Sequence, residues 1–365
     1  MSYSLLYSFG GVPDGDSPQA GLIGDRHTLY GTTVRGGKYG LGAVFSITRG
    51  KEKVLYSLSQ GTDGQFPDSG VTDVGGTLYG TTEFGGKFGF GTLFSVTTGG
   101  TERVLHSFGH GTDGIFPYGG VIDVNGTLYG TTFEGGTYPC ASGATCGTVY
   151  SFTPGRAEKV LHSFGKGTDG SFPFAGLIDV SGTLYGTTSA GGAHPCNFSG
   201  STTCGTVFSI TTGGKERVLH SFGKGTDGYF PFASLTAVNG VLYGTTAGGG
   251  SNHCGKCGTV FSITPGGAER VLHSFGKNTD GSDPGASLVG VGGTLYGTTY
   301  EGGAHSAGTV FSVATDGTEK ILHSFGSGTD GTNPDGGLNY KGGRLVGTTV
   351  KGGVSSRGTV FLLTP

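Results

Sequence analysis

The chain has 365 residues with 81 Gly, one Met, no Trp and a formal net charge of −3. That balance, with no basic run, excludes a binder held by nucleic-acid phosphates, and no apolar stretch reaches the roughly 20 residues of a membrane-spanning helix. So much glycine accompanies collagen or disorder in other chains, but here no G-x-y triplet persists and the glycines recur at fixed places between apolar runs.

Those places belong to one phrase repeated seven times: VLHSF, GTDGxxP, GLIxV, TLYGTT, a GG loop and GTVFSI. The chain enters the phrase part-way, on Leu5 to Phe9, and the first copy carries Gly10 to Pro18 in place of GTDGxxP. These opening residues already belong to a repeat, so no signal peptide is read there, and a secreted chain lacking its leader would look the same. The tyrosine of LYG returns at Tyr30, Tyr79, Tyr129, Tyr185, Tyr243 and Tyr296, with Val346 in the last copy. A spacing of about 50 to 58 residues marks a solenoid, an array or a propeller. The chain stops after the last GTVF phrase, Gly358 to Leu363.

Each copy contains four short runs rich in Val, Ile, Phe, Tyr and Thr, bounded by Gly, Asp, Asn or Pro, which predict strands. In the fourth copy they are Gly176 to Val180 (a), Thr183 to Thr188 (b), Gly205 to Thr211 (c) and Glu216 to Phe222 (d). Strand c alternates Thr206, Phe208 and Ile210 with Val207, Ser209 and Thr211. Both faces are at least half apolar, as in a sheet stacked between two others. The a–b and c–d turns are short and contain glycine, which supplies the positive φ of tight hairpins. No window has helical periodicity.

Four-stranded units of this length predict an all-β fold, a seven-bladed β-propeller. A linear solenoid needs polar caps at its ends, whereas the terminal copies here are as apolar as the inner ones. The offset frame predicts one propeller domain over residues 1–365. Residues 3–9 would add the fourth strand to a last blade at 337–364 and protect an otherwise open sheet edge.

Six cysteines fall in the b–c loops of three consecutive copies. The pairs Cys140/Cys146 and Cys196/Cys204 read as local disulfides and favour an oxidising compartment. The third pair, Cys254/Cys257, follows His253. Its spacing leaves a disulfide, free thiols and half a zinc site open, with the disulfide preferred because no second half-site has matching spacing. No metal or cofactor is expected.

At the words LHSF, DGxxPxxGL, LYGTTxxGG and GTVFSIT the chain resembles the tandem repeat of Gloeobacter and Verrucomicrobia proteins, over essentially its whole length. The LYGTTxxGG phrase is also similar to the double-glycine strand end of kelch repeats. The family resemblance implies a propeller in a secreted or surface-attached bacterial protein. It carries over no catalytic residues.

In such a propeller the d–a and b–c connections share one face, and these are the connections that vary from copy to copy. The aspartates Asp63, Asp113, Asp169, Asp227, Asp280 and Asp330, with Asp14 as counterpart, read as carboxylates capping their own loop amides; one carboxylate per loop is too few for calcium. After the loop proline stand Gln19, Asp68, Tyr118, Phe174, Phe232, Gly285 and Asp335. Tyr118, Phe174 and Phe232 are neighbours on one arc, facing Asp335, Gln19 and Asp68 on the other. Before the proline stand Phe66, Phe116, Phe172 and Phe230 on one arc and Asp283, Asn333 and Ser17 on the other, with Tyr229 adding to the aromatic side. Two readings stay open for the rings: packing at the channel mouth, or an aromatic wall opposite a carboxylate and amide wall, which suits carbohydrate. The long loops 133–146 and 189–204 would form a raised lip, with His194, Asn197 and Tyr138 as polar contacts. The repeated His106, His162, His220, His273 and His323, replaced by Tyr7 and Tyr56 in the first two copies, read as packing or surface residues in strand d.

The expected function is recognition of a glycan or cell-surface polymer outside the cell, by a monomer with no nucleic-acid partner and no membrane insertion. One alternative is a glycan-cleaving enzyme on the same face, using two carboxylates drawn from Asp68, Asp335, Asp283, Glu83, Glu134 and Glu301. Another is a protein-docking scaffold, which the fold would serve equally well.

Overall fold

A computed structural model describes residues 2–25, 27–140, 143–196, 203–252, 254–277 and 279–365. Among them there is no helix, and apart from a two-stranded ribbon of Gly15–Asp16 with Arg35–Gly36 the strands form seven four-stranded antiparallel sheets arranged as the blades of a β-propeller. Blade IV shows the pattern, with Ile178–Val180, Thr183–Thr188, Thr206–Thr211 and Glu216–Ser221 paired in the order a-b-c-d. Blades I, II, III, V and VI span 23–57, 72–107, 122–163, 236–274 and 289–324.

Blade VII takes three strands from the end of the chain, Asn339–Lys341, Arg344–Thr349 and Thr359–Thr364, and its outer strand from the beginning, Ser2–Ser8. Leu5 faces Phe361 and Tyr7 faces Val360 across that pairing. The ring therefore closes by backbone hydrogen bonds between its two ends.

Strand a is shorter than the sequence suggests. Gly176 and Leu177 leave the sheet and run along the axis against blade III, where a Cβ on Gly176 would lie 2.8 Å from the Gly120 carbonyl oxygen. Strand d, in turn, is bulged in every blade at the leucine of the LHSF phrase; in blade IV Val207 faces His220 while Phe208 faces Val218. The extra residue rotates the local backbone and sends the histidine towards the loop that follows.

The apolar core lies in the seams between blades. Val149 and Phe164 of blade III pack with Leu177, Leu184, Phe208 and Ile210 of blade IV, and the closing seam joins Phe9, Phe45 and Ile47 to Val346 and Val360. The glycine of LYG fits under the strand-c phenylalanine, where a Cβ on Gly186 would meet the Phe208 ring at 2.6 Å. The two threonines of TT divide the polar work. The first donates across the seam, as in Thr131 to the Ala175 carbonyl at 2.8 Å and Thr348 to the Ala20 carbonyl at 3.1 Å. The second bonds within its blade, as in Thr188 with Thr206 at 2.8 Å.

The loop aspartates cap amides as expected, and they also hold the histidines, which are neither plain packing nor plain surface residues. Asp113 accepts from the Gly109 amide at 3.0 Å through one oxygen and pairs with His106 Nε2 at 2.9 Å through the other. Tyr7 and Tyr56, which replace histidine, donate to Asp14 and Asp63 at 2.9 and 2.8 Å. A tyrosine hydroxyl and an imidazole N–H reach the same acceptor, so the exchange keeps the bond. From the next blade a glutamate leans onto this pair, and its Oε1 is buried without a hydrogen-bond partner at Glu52, Glu102, Glu158, Glu216, Glu269 and Glu319. Burial, followed by the aspartate of the preceding blade, pushes Glu52 and Glu102 up to about 7. Burial also raises Glu216 and Glu269 to about 7, the adjacent histidine opposing it and the aspartate adding to it.

Two outcomes test this construction. Deleting residues 1–9 removes the outer strand and the fully buried Phe9, and cooperative thermal unfolding should disappear; a truncated chain that melts like the full one rules out closure. The single change Phe9→Ala should cost about 3–5 kcal/mol in urea unfolding. The glutamates bind protons more tightly folded than unfolded, so their contribution is complete below the ordinary 4.5 and is lost as pH rises towards 7. Melting temperature should fall between pH 5 and pH 8, and the slope should flatten in a Glu102→Gln, Glu216→Gln, Glu269→Gln triple variant.

Candidate functional site

The loop before strand a and the loop after strand b meet on one face of the ring. A backbone bridge ties them in each of six blades, for example Ile115 with Glu134 and Ser282 with Glu301. At the residue before proline the chain takes a left-handed turn in all seven copies, with φ between 56° and 59° from Phe66 to Phe230. Each proline thereby lands on the glycine that opens strand c of the preceding blade, as Pro173 does on Gly147. The next residue is directed to the axis.

The seven residues after proline converge on one cavity of about 460 Å³ at the channel mouth. The rest of its wall is Ala, Gly and Ser from the same segments with Val121, Ile122 and Leu177, so Gln19, Asp68, Tyr118, Phe174, Phe232 and Asp335 are its main candidate side chains. Tyr118 and Phe174 stack with centroids 4.9 Å apart, and Phe232 meets Phe174 edge-on at 5.6 Å. Phe174 is 36% exposed. The phenylalanines before proline support this arc from beneath the b–c loops, with Phe133 stacked on Phe172 at 5.0 Å and Phe84 edge-on to Phe116 at 5.4 Å.

The opposite arc is acidic. Asp68 is pushed up to about 7 by burial, by the charges of Glu83 and Asp335, and by a hydrogen bond shared with Glu83. Glu83 also accepts from the Tyr118 hydroxyl at 2.6 Å, linking the two arcs. Asp335 rises to about 6, through burial first and the charge of Asp283 second. Asp283 is raised by burial and pulled back by Lys256, which lies 3.7 Å from it and 3.8 Å from Glu301. Asp283, Glu301 and Glu134 are absent from the channel lining. Lys256 escaped the sequence reading; its one signal was a cation between Cys254 and Cys257, in the copy just before the one whose loop proline is preceded by Asp283.

Other candidates lie elsewhere. Tyr229 lines a separate cavity of about 300 Å³ beside Pro195 and Cys204, and its hydroxyl donates to the Gly255 carbonyl at 2.5 Å. Its ring meets Phe230 edge-on at 5.0 Å, and Phe230 in turn stacks on Phe232 at 6.0 Å. His194 and Tyr138 pack beside Gly223 and Gly165, at the outer end of their blades rather than over the channel. Asn197 and His253 lie outside the described residues. All three cysteine pairs are disulfides. Cys146, Cys204 and Cys257 are buried and pack under the glycine that follows each LHSF phrase, so these staples support the seams.

Among solved structures the chain is similar to a puromycin-hydrolyzing peptidase of Mycobacterium tuberculosis, with TM-score 0.55 and 12% identity over 93% of this chain and 52% of that one. A puromycin hydrolase gives TM-score 0.56 and 13% identity over 91% and 50%. The β-propeller domain of the Trilobed protease from Pyrococcus furiosus gives TM-score 0.50 and 11% identity over 95% of each. The chain spans about half the length of the two hydrolases, and at such identity these likenesses show the fold alone. No curated protein matches the chain. The Gloeobacter/Verrucomicrobia repeat matches residues 1–198 and again 195–365, in agreement with the seven copies and the blades they build. The chain belongs to the Gloeobacter/Verrucomicrobia repeat family.

Proposed function

We propose that the channel mouth is a recognition site for a glycan or a glycan-bearing surface polymer, working outside the cell. The observation that carries this reading is the division of one cavity into an aromatic arc, Tyr118, Phe174 and Phe232, and a polar arc, Gln19, Asp68 and Asp335. Sugars have apolar C–H faces that stack on rings and hydroxyl edges that need both donors and acceptors. A carboxyl that titrates near 7, as Asp68 does, serves as donor or acceptor, and Gln19 as both. Three disulfides support an extracellular setting.

Cleavage of the bound glycan is the second reading, favoured by the raised Asp68. A glycosidase needs its two carboxyls about 5–9.5 Å apart, with the sugar or a water between them. The Glu83 carboxyl is in hydrogen-bond contact with that of Asp68, which leaves no such gap between these two. That contact favours binding over hydrolysis.

Glycan-array binding by the full chain tests the proposal. Phe174→Ala should lower the melting temperature somewhat, through the lost contacts with Tyr118 and Phe232, but keep cooperative unfolding, because the ring is 36% exposed. It should weaken binding at least fivefold, the worth of about 1 kcal/mol for one stacked ring. Absence of glycan binding, or full binding by the variant, removes the aromatic cleft; release of reducing ends from a bound polysaccharide would establish the enzyme instead.

A further inference from the structure

We propose that the seam between blades II and III is a binding site for one divalent transition-metal ion, zinc being the natural fit for its donors. The site is on the outer rim and independent of the channel. Its ligands are His106 and Asp113 of blade II and its loop and Glu158 of blade III, with His110 of the same loop lining the cleft that reaches them.

The repeat supplies the comparison. Every seam presents an aromatic donor bonded to a loop aspartate, and the next blade adds one more residue. In the closing seam and the seam between blades I and II the donor is Tyr7 or Tyr56, so the nitrogen ligand is missing. Between blades VI and VII the glutamate position is Tyr3, whose ring stacks on His323 at 4.2 Å. In the three seams from blade III to blade VI the histidine, aspartate and glutamate are all present, but the loop carries Lys166, Lys224 or Lys277 between histidine and aspartate. An ammonium there opposes a second cation. Only between blades II and III does a complete set meet an imidazole, His110, in the lysine position, a side chain that can offer a lone pair to a metal.

The geometry singles out the same seam. One ligand atom from each of His106, Asp113 and Glu158 lies within 4.8 Å of the others, the one such group among the described residues. His106 Nε2 is 2.9 Å from Asp113 Oδ2, and Glu158 Oε1 is buried without a hydrogen-bond partner. An open cleft of about 800 Å³ reaches the group and is lined by His110 and Lys87 as well. The Lys87 ammonium lies 5.2 Å from the centre of the Phe88 ring, which also meets the His110 ring at 5.5 Å. One imidazole nitrogen and two carboxylates leave a fourth position of a tetrahedral zinc site for His110 or water.

Titration of the full chain with Zn²⁺ by calorimetry, and with Co²⁺ by visible absorption, tests the site. One equivalent should bind and raise the melting temperature. Glu158→Gln should abolish uptake, and His110→Lys, which restores the residue of the neighbouring seams on an exposed loop, should weaken it more than tenfold. Glu216→Gln, the same change one seam along, should bind as the parent does. No uptake, uptake undiminished in Glu158→Gln or His110→Lys, or uptake equally lost in Glu216→Gln overturns the proposal.

Discussion

A blade of this protein is apolar on both faces and has nowhere to stand alone. The strand-c side chains Val207 and Phe208 are both fully buried, yet they point to opposite faces of one sheet, so each blade requires a neighbour on either side. Seven such sheets satisfy the requirement only as a closed circle, and the circle closes only where Ser2–Ser8 joins Thr359–Thr364. The side chains opposed across the channel owe their positions to that closure.

Polar groups inside the seams follow from the same constraint. Backbone carbonyls near the axis lie too deep for free hydration, and the first threonine of TT reaches across to them from the adjacent blade, as Thr32 does to Ser69 at 2.7 Å. Further out, the loop aspartate is enclosed between blades, where its two oxygens accept from a backbone amide and pair with an imidazole or phenol. The unpartnered glutamate oxygens are the one recurrent deficit, and their proton affinity rises as a consequence.

Against this repetition, the positions free to vary are those the scaffold does not use. The left-handed residue before proline is Asn333 or Asp283 in two blades, which tolerate that backbone well, and phenylalanine in four, where a side chain with a Cβ is strained by about 1–2 kcal/mol. Ring contacts such as Phe133 with Phe172 offset that strain and align the surface on which Tyr118 and Phe174 stand. Variation in the disulfide loops has a different consequence: the cysteines brace the outer ends of blades III to V and leave the channel mouth uncovered by their described residues.

Much of this was legible in the order of residues alone, because a propeller blade is a local object. Strand, turn and cap are written within about 50 residues, and seven copies of TLYGTT and GTVFSI repeat the message. The ring of residues after Pro18, Pro67 and Pro117 could be named from the sequence for the same reason. What spacing does not contain is distance between copies or the twist of a strand. The bulge at Leu219 turns His220 to Asp227, the lip residues Tyr138 and His194 swing outward, and Tyr229 turns to a cavity of its own. The sequence by itself determined the blade, its number and its closure, since these depend on hydrophobic period and frame. Only the tertiary structure decided that Asp68 meets Glu83 and that Glu158 meets His106, because the first contact depends on how two loops of one blade fold together and the second joins adjacent blades whose spacing is set by how the sheets pack.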